Sequence, residues 1–295
     1  MDRNSTPRPG GRSLTLAWLK RLVERHPALR FALFPIRLKI ALSYYIPAVG
    51  AVARWLVRSR EHTNFTYDYS PASLEYLAHG LALVTGCPVG ALRAYLAEPT
   101  ENVELNRTVR ERAEASDRRA VIDRDVRLGR QRIWYALARA LKPARVVEAG
   151  VGPGLAAVVL AEALLKNAGE GNAGEYLGID RDPRAGALLG PRQRSVARII
   201  RGESVSTLGG LGQPVDLFIT DSHVSPDLEY AECRAIGPWL TDRAVVGTTV
   251  TTRLPAFAEE TGRVFLGFKE EPRDHWYPGG WVGLAFRPPL GIVAR

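Results

Sequence analysis

From about residue 126 onward, short β-branched runs alternate with longer stretches of helical period. The runs fall at 145–149 (RVVEA), 175–180 (EYLGID), 197–201 (ARIIR), 216–221 (DLFITD), 244–250 (AVVGTTV), 264–269 (VFLGFK) and 281–287 (WVGLAFR), and each reads as a strand. Between the first five, segments at about 154–167, 182–190, 203–211 and 225–240 predict helices, which makes this half an α/β fold built on a parallel sheet. The last two strands are joined by EEPRDHWYPGG. Pro278-Gly279-Gly280 punctuates that link, no crossover helix fits, and an antiparallel pair follows.

Upstream the period is helical. In SLTLAWLKRLVERHP, Ser13 caps an amphipathic helix that Pro27 ends, and FALFPIRLKIALSYYIPAVGAVARWLVRSR continues in the same manner with Tyr44, Tyr45 and Trp55 among its cations. Residues 61–70, EHTNFTYDYS, lack a period and read as a linker or loop. Ser70-Pro71 opens a capped helix ending at Gly86, and Pro88 opens a second through about Glu98, so a small helical hairpin is expected. From Glu104 to Arg130 fourteen of twenty-seven residues are charged with both signs mixed, the pattern of an exposed helix. The expected organisation is a basic helical segment at 1–60, a hairpin and charged linker helix at 61–125, and the α/β domain at 126–295.

Charge sharpens this division. The net charge of +9 comes from residues 1–60, where twelve Lys/Arg face two acids (+10); residues 61–295 hold twenty-eight against twenty-nine (−1). Any polyanion contact therefore belongs to the first sixty residues, and the neutral remainder argues against a nucleic-acid partner. Arginines alternating with large apolar residues suit an anionic membrane surface, or a face packed on the main domain or on a second copy of the chain. The longest uncharged apolar run, between Lys39 and Arg54, has fourteen residues, short of the roughly 20 of a spanning helix. No secretory signal pattern opens the sequence, and Cys87 and Cys233 match no disulfide or metal spacing. A cytoplasmic protein, membrane-associated through residues 1–60, is the expectation. With 46% hydrophobic and 24% charged residues, a wholly disordered chain is excluded.

The first strand ends in Glu148-Ala149-Gly150-Val151-Gly152-Pro153-Gly154, and an apolar helix follows at once. Glycines here let the backbone approach a ligand, while the helix start offers unpaired N–H groups. A dinucleotide loop needs G-x-G-x-x-G, but position 155 is leucine, and the next strand-end acid, Asp180, lies thirty residues after Gly150 rather than about 20. Nicotinamide binding falls behind.

The E-x-G-x-G-x-G motif, Asp180 closing the second strand, Gly202-Glu203-Ser204 after the third, Asp221-Ser222-His223 after the fourth and the terminal hairpin together resemble the Rossmann-like S-adenosylmethionine-dependent methyltransferases of small-molecule type. The resemblance spans about residues 126–288. It implies a seven-stranded sheet, preceded here by an α-helical N-terminal region. It further implies that Gly150, Gly152 and Gly154 turn beneath the methionine part of S-adenosylmethionine, that Glu148 orients this loop, that Asp180 accepts both ribose hydroxyls, that Glu203 or Ser204 lies by the adenine, and that Asp221 borders the transferring methyl. For a hydroxyl acceptor, small or lipid-linked, His223 and His275 are candidate bases beside Asp221, since imidazole titrates near neutrality. The fifth strand ends in GTTVTT without a carboxylate for a hard cation, so no metal is expected, although Asp221, Asp227 and His223 remain a conceivable set. Asp221-Ser222-His223-Val224 also departs from the D/N-P-P-Y/F/W ending of base-methylating relatives. Another reaction on the same fold, or an RNA-binding or scaffold protein retaining the pocket, is the alternative.

Overall fold

The computed structural model describes residues 33–59, 66–117, 126–222, 225–249 and 252–289, with a few isolated positions outside these ranges. The chain divides into two units, residues 1–57 and 58–295.

In the first unit, residues 21–25 are helical, whereas Ser13 and Pro27 lie outside the described residues. The second amphipathic stretch forms one helix of 25 residues, α1 (Phe34–Arg58), which runs through Pro47 and buries none of them. An 18-residue window of α1 with at most two charged residues has a mean hydropathy of 1.4, so the helix is long and apolar enough to cross a membrane by length and composition. That window admits up to two charged residues, which the fourteen-residue run between Lys39 and Arg54 does not.

The second unit opens with β1 (Asp68–Tyr69), followed by α2 (Pro71–Thr85), α3 (Val89–Glu101) and α4 (Val103–Ala115). The Ser70 hydroxyl accepts the Ser73 N–H at 3.1 Å, and Gly86 ends α2 with φ 73°. The chain then bends by 118° into α3. Residues 61–65 lie outside the described set, but the reading of this stretch as a loop is corrected further on: Tyr67 and Tyr69 are only 2% exposed, and β1 pairs with a strand two hundred residues later. The charged helix also proves shorter than foreseen, since α4 stops at Ala115. A separate helix, α5 (Gln131–Leu141), buries eight of its eleven residues, among them Trp134, Arg132 and Arg139. Arg139 reaches Glu98 on α3 at 3.2 Å, Glu170 at 2.6 Å and the Asn167 amide, so the helical layer is tied to the sheet domain through one buried cation.

The remaining elements are β2 (Arg145–Ala149), α6 (Leu155–Gly169), β3 (Glu175–Asp180), β4 (Ala197–Arg201), α7 (Ser204–Gly209), β5 (Val215–Thr220), α8 (Pro226–Ile236), β6 (Leu240–Thr248), α9 (Leu254–Glu260), β7 (Val264–Lys269), β8 (Pro272–Arg273) and β9 (Trp281–Phe286). Seven strands form one sheet in the order β4-β3-β2-β5-β6-β9-β7. The first five are parallel, and β9 is antiparallel to both neighbours. A seven-stranded sheet with an antiparallel terminal pair is what the sequence motifs imply. Because two reversals cancel, β7 points the same way as β2 to β6, and its end at Lys269 joins their carboxyl edge.

Side-chain alternation builds a core on each face. Val146, with Leu217 and Ile219 of β5, packs towards α5 and α6, while Val147 and Ala149 pack with Phe218, Cys233 of α8 and Phe257 of α9. One predicted helix is absent: residues 183–188 are turns. Pro183, Gly186 and Gly190 break the helical run, and the segment instead donates Gly186 N–H to Gly152 O at 2.9 Å and Leu188 N–H to Pro153 O at 3.0 Å, bracing the glycine bend. Similarly, α8 ends at Ile236, where Gly237-Pro238 turn the chain into a 3-10 segment.

Candidate active site

At the carboxyl edge, β2 leaves the sheet through Gly150 (φ 84°), Gly152 (φ 52°) and Gly154 (φ 95°). A Cβ on Gly150 would lie 2.1 Å from the Ser222 Cα, so the β2 and β5 exits meet there only because residue 150 has no side chain. Gly152 is different. Nothing lies within 4 Å of the position its Cβ would take, so that stretch of backbone faces open space.

Asp180, at the end of β3, fixes this bend. One of its carboxylate oxygens accepts the N–H groups of Val151 and Gly152, both at 2.9 Å, and the other accepts the Asp182 N–H at 2.9 Å. A carboxylate offers about four acceptor positions, which leaves room for a further donor arriving over the bend. Beneath it, Glu148 is 1% exposed and accepts the Tyr176 hydroxyl, which passes over Gly178. Burial pushes the Glu148 carboxyl well above the usual range; the Tyr176 bond pulls it back, and Asp221 and Asp180 add to the rise.

The third strand end lies alongside, with Gly202 N–H bonded to Asp180 O at 3.0 Å. Glu203 stands at the N-cap of α7, exposed, with its carboxylate 3.4 Å from Arg181; Ser204, half-buried, is the first residue of the helix. Glu203 thus meets water and one arginine at the rim.

On the other side of the bend, Asp221 follows β5. Its N–H bonds Ala149 O at 2.9 Å, its carboxylate accepts the Thr249 hydroxyl at 3.0 Å, and the Arg130 guanidinium is 3.7 Å away. Burial raises its pKa above the usual carboxylate value, Arg130 and Thr249 oppose the rise, and Glu270 adds to it. Next to it, the Ser222 Oγ is buried without a hydrogen-bond partner among the described residues. His223 lies outside them.

Sequence reasoning missed the group behind Asp221. Glu270, fully buried at the end of β7, accepts the hydroxyls of Tyr67 at 2.8 Å and Tyr69 at 2.6 Å and the Gly280 N–H at 3.1 Å, with Arg130 Nε at 3.9 Å. Burial acts against the Arg130 charge, but Asp221 and Glu270 outweigh it and hold the guanidinium protonated. Burial and then Glu270 push both tyrosines above their ordinary range. The pairing of β1 with β8 brings Tyr67 to this edge. His275 joins the group through Tyr67, ring to ring at 5.5 Å, while its Nδ1 accepts the Tyr277 N–H at 3.0 Å and its ring stacks on Trp276 at 5.8 Å. The signal that was available is positional: Glu270 is an acid immediately after a strand that ends on the same edge as Asp180 and Asp221.

Among the described residues no group of three or more His, Cys, Asp or Glu is placed to hold a metal ion. Asp227 forms an ion pair with Arg253 at 3.2 Å.

Residues 147–248 match a family described as a methyltransferase domain. No curated protein matches the chain. Among solved structures, the chain is similar to the O-methyltransferase TomG of Streptomyces achromogenes, involved in tomaymycin synthesis and crystallised with S-adenosylmethionine (14% identity, 66% of this chain and 96% of that one, TM-score 0.48). It is similar also to the methyltransferase PaMTH1 of Podospora anserina, bound to S-adenosylhomocysteine (15% identity, 66% and 93%, TM-score 0.46). A third is cofactor-bound Rv0187 from MTB (19% identity, 75% and 100%, TM-score 0.44).

Proposed function

We propose that this chain, in which residues 147–248 match a methyltransferase-domain family, is an enzyme that methylates an oxygen of a small or lipid-linked acceptor with S-adenosylmethionine. The observation that carries this reading is the glycine bend lying open at Gly152 between two strand-end carboxylates, Asp180 and Asp221.

The residues present fit that cofactor. Open backbone at Gly152 leaves space that a side chain would fill, Asp180 keeps acceptor capacity for a sugar hydroxyl, and Ser222 brings a buried hydroxyl in need of a partner. When bound, the cofactor supplies a methyl group on a sulfonium, whose sulfur becomes neutral as the methyl leaves. The protein's task is to align the acceptor and keep water out. Asp180 and the bend hold the nucleoside end, and Asp221 faces the acceptor. With its pKa raised by burial, Asp221 is suited to take the proton of an acceptor hydroxyl, while Thr249 and Arg130 keep its carboxylate oriented and charged. His275 and Trp276, half-buried beside this group and stacked on each other, supply rings on which an apolar acceptor rests. His275 accepts the Tyr277 N–H at Nδ1, so the neutral ring carries its proton on Nε2 and is not set to take another there. It therefore acts in holding the acceptor, and Asp221 takes the proton.

Titration calorimetry with S-adenosylmethionine and S-adenosylhomocysteine, followed by labelled-methyl transfer to phenols, alcohols and carboxylic acids, tests the reading. Binding of both nucleosides and a methyl ether or ester product are expected. Silence of well-folded protein in calorimetry removes the cofactor assignment, and a product methylated on nitrogen or carbon removes the oxygen acceptor.

A further inference from the structure

We infer that α1 lies flat on an anionic lipid surface, its apolar stripe turned into the bilayer interface and its cations set among the headgroup phosphates. The inference does not rest on the methyl-transfer reading. Leu38, Leu42, Tyr45, Val49, Ala53 and Leu56 recur at intervals of four, three, four, four and three, which at about 100° per residue keeps them within one quarter of the helix circumference. All six are exposed, Tyr45, Val49 and Leu56 by 67–69%. A soluble protein seldom leaves so long a stripe of large apolar residues in water.

The charges identify the occupant. Arg37, Lys39, Arg54 and Arg58 lie off the stripe, and the helix contains no Asp or Glu. Four cations without an acid complement anionic headgroups, each strengthening adsorption roughly fivefold at ~1 kcal/mol per basic residue. The same four would repel an identical helix from a second copy. A spanning arrangement is less well served: Lys39 and Arg54 bracket fourteen residues, about 21 Å of helix against a hydrocarbon core of about 30 Å. Lying in the interface, α1 satisfies both its stripe and its charges, with Tyr44, Tyr45 and Trp55 at the depth such rings favour.

The test is co-sedimentation of the full chain with vesicles of phosphatidylcholine alone and of equal parts phosphatidylcholine and phosphatidylglycerol. Binding at least tenfold tighter to the anionic vesicles, weakened by salt and reversed by alkaline carbonate, is expected. The double variant Leu42→Glu with Val49→Glu should lose at least tenfold of that binding, with calorimetry on the cofactor site unchanged as evidence of folding. Equal binding by the variant, indifference to phosphatidylglycerol, or retention after carbonate, which marks a spanning helix, overturns the inference. So does a dimer by analytical ultracentrifugation that the variant dissolves. Because vesicle binding is read without turnover, its failure and a failure of the methyl-transfer reading are separate results.

Discussion

The two ends of β5 carry two carboxylates of the same kind in opposite states. Asp216, at the amino end, is held on both oxygens: they accept the N–H groups of Ala144 and Arg145 at 2.9 and 3.2 Å and the Thr241 hydroxyl at 3.0 Å. Asp221, one residue past the carboxyl end, accepts one hydroxyl from Thr249 and faces a guanidinium 3.7 Å away, beyond hydrogen-bond reach. Both are strand-end acids in the sequence, and only the bonding around them separates an acid that fixes a loop from one that is free to meet a ligand. The difference follows from the architecture. At the amino edge, the loop entering β2 supplies N–H groups that converge on Asp216; at the carboxyl edge, the β2 backbone turns away through glycines and leaves a gap.

That contrast can be broken experimentally, and the largest effect is expected at its open end. Asp221→Asn should lower kcat by about 10²–10⁴-fold, the usual contribution of a general base, with the thermal midpoint nearly unchanged; near-normal turnover would place the base elsewhere. Asp180→Ala should weaken binding of S-adenosylhomocysteine by ~1.5–3 kcal/mol, about 10–150-fold, since hydrogen bonds to a charged group and the tie to the bend are lost together. Calorimetry on folded variant protein reads this directly, and unaltered affinity would take the carboxylate out of the site. At the held end the outcome should invert: Asp216→Ala costs about 1–2 kcal/mol in urea unfolding as three bonds disappear, while kcat/KM stays the same. The smallest effect is expected from Arg130→Gln. Burial already raises the Asp221 pKa and Arg130 opposes that rise, so removing the guanidinium should move the acid limb of the kcat profile to higher pH, with activity lost earlier as pH falls. An unmoved limb would show that another group sets it.

The parts of this molecule that were legible in the sequence are those whose cause is local. The strand runs at 145–149, 175–180, 197–201 and 264–269 coincide with β2, β3, β4 and β7, because β-branched residues bounded by turn residues leave little alternative. Ser70-Pro71 and Gly86 mark the ends of α2 for the same reason. The misses are long-range. Tyr67 and Tyr69 look like loop residues until Glu270, two hundred positions away, takes their hydroxyls. The segment after Asp180 looks helical, but the N–H groups of Gly186 and Leu188 go to the glycine bend, and what remains within the segment is turns. Arg130 looked like the last charge of a solvated helix, and its placement between Asp221 and Glu270 depends on where two other chain segments arrive. Candidate acids could be found by their strand ends, but their partners could not.

Tyr176 threads across Gly178 to clasp Glu148 under the bend, and the dry setting favours the uncharged acid there. The floor beneath the bend is then electrically blank. A sulfonium reactant and its thioether product differ by one positive charge, and such a floor cannot distinguish them. Discrimination falls to Asp221, whose pKa is already raised by burial, so protonating it erodes the preference for fresh cofactor over spent. The ratio of the two nucleosides' affinities should accordingly shrink towards acid pH.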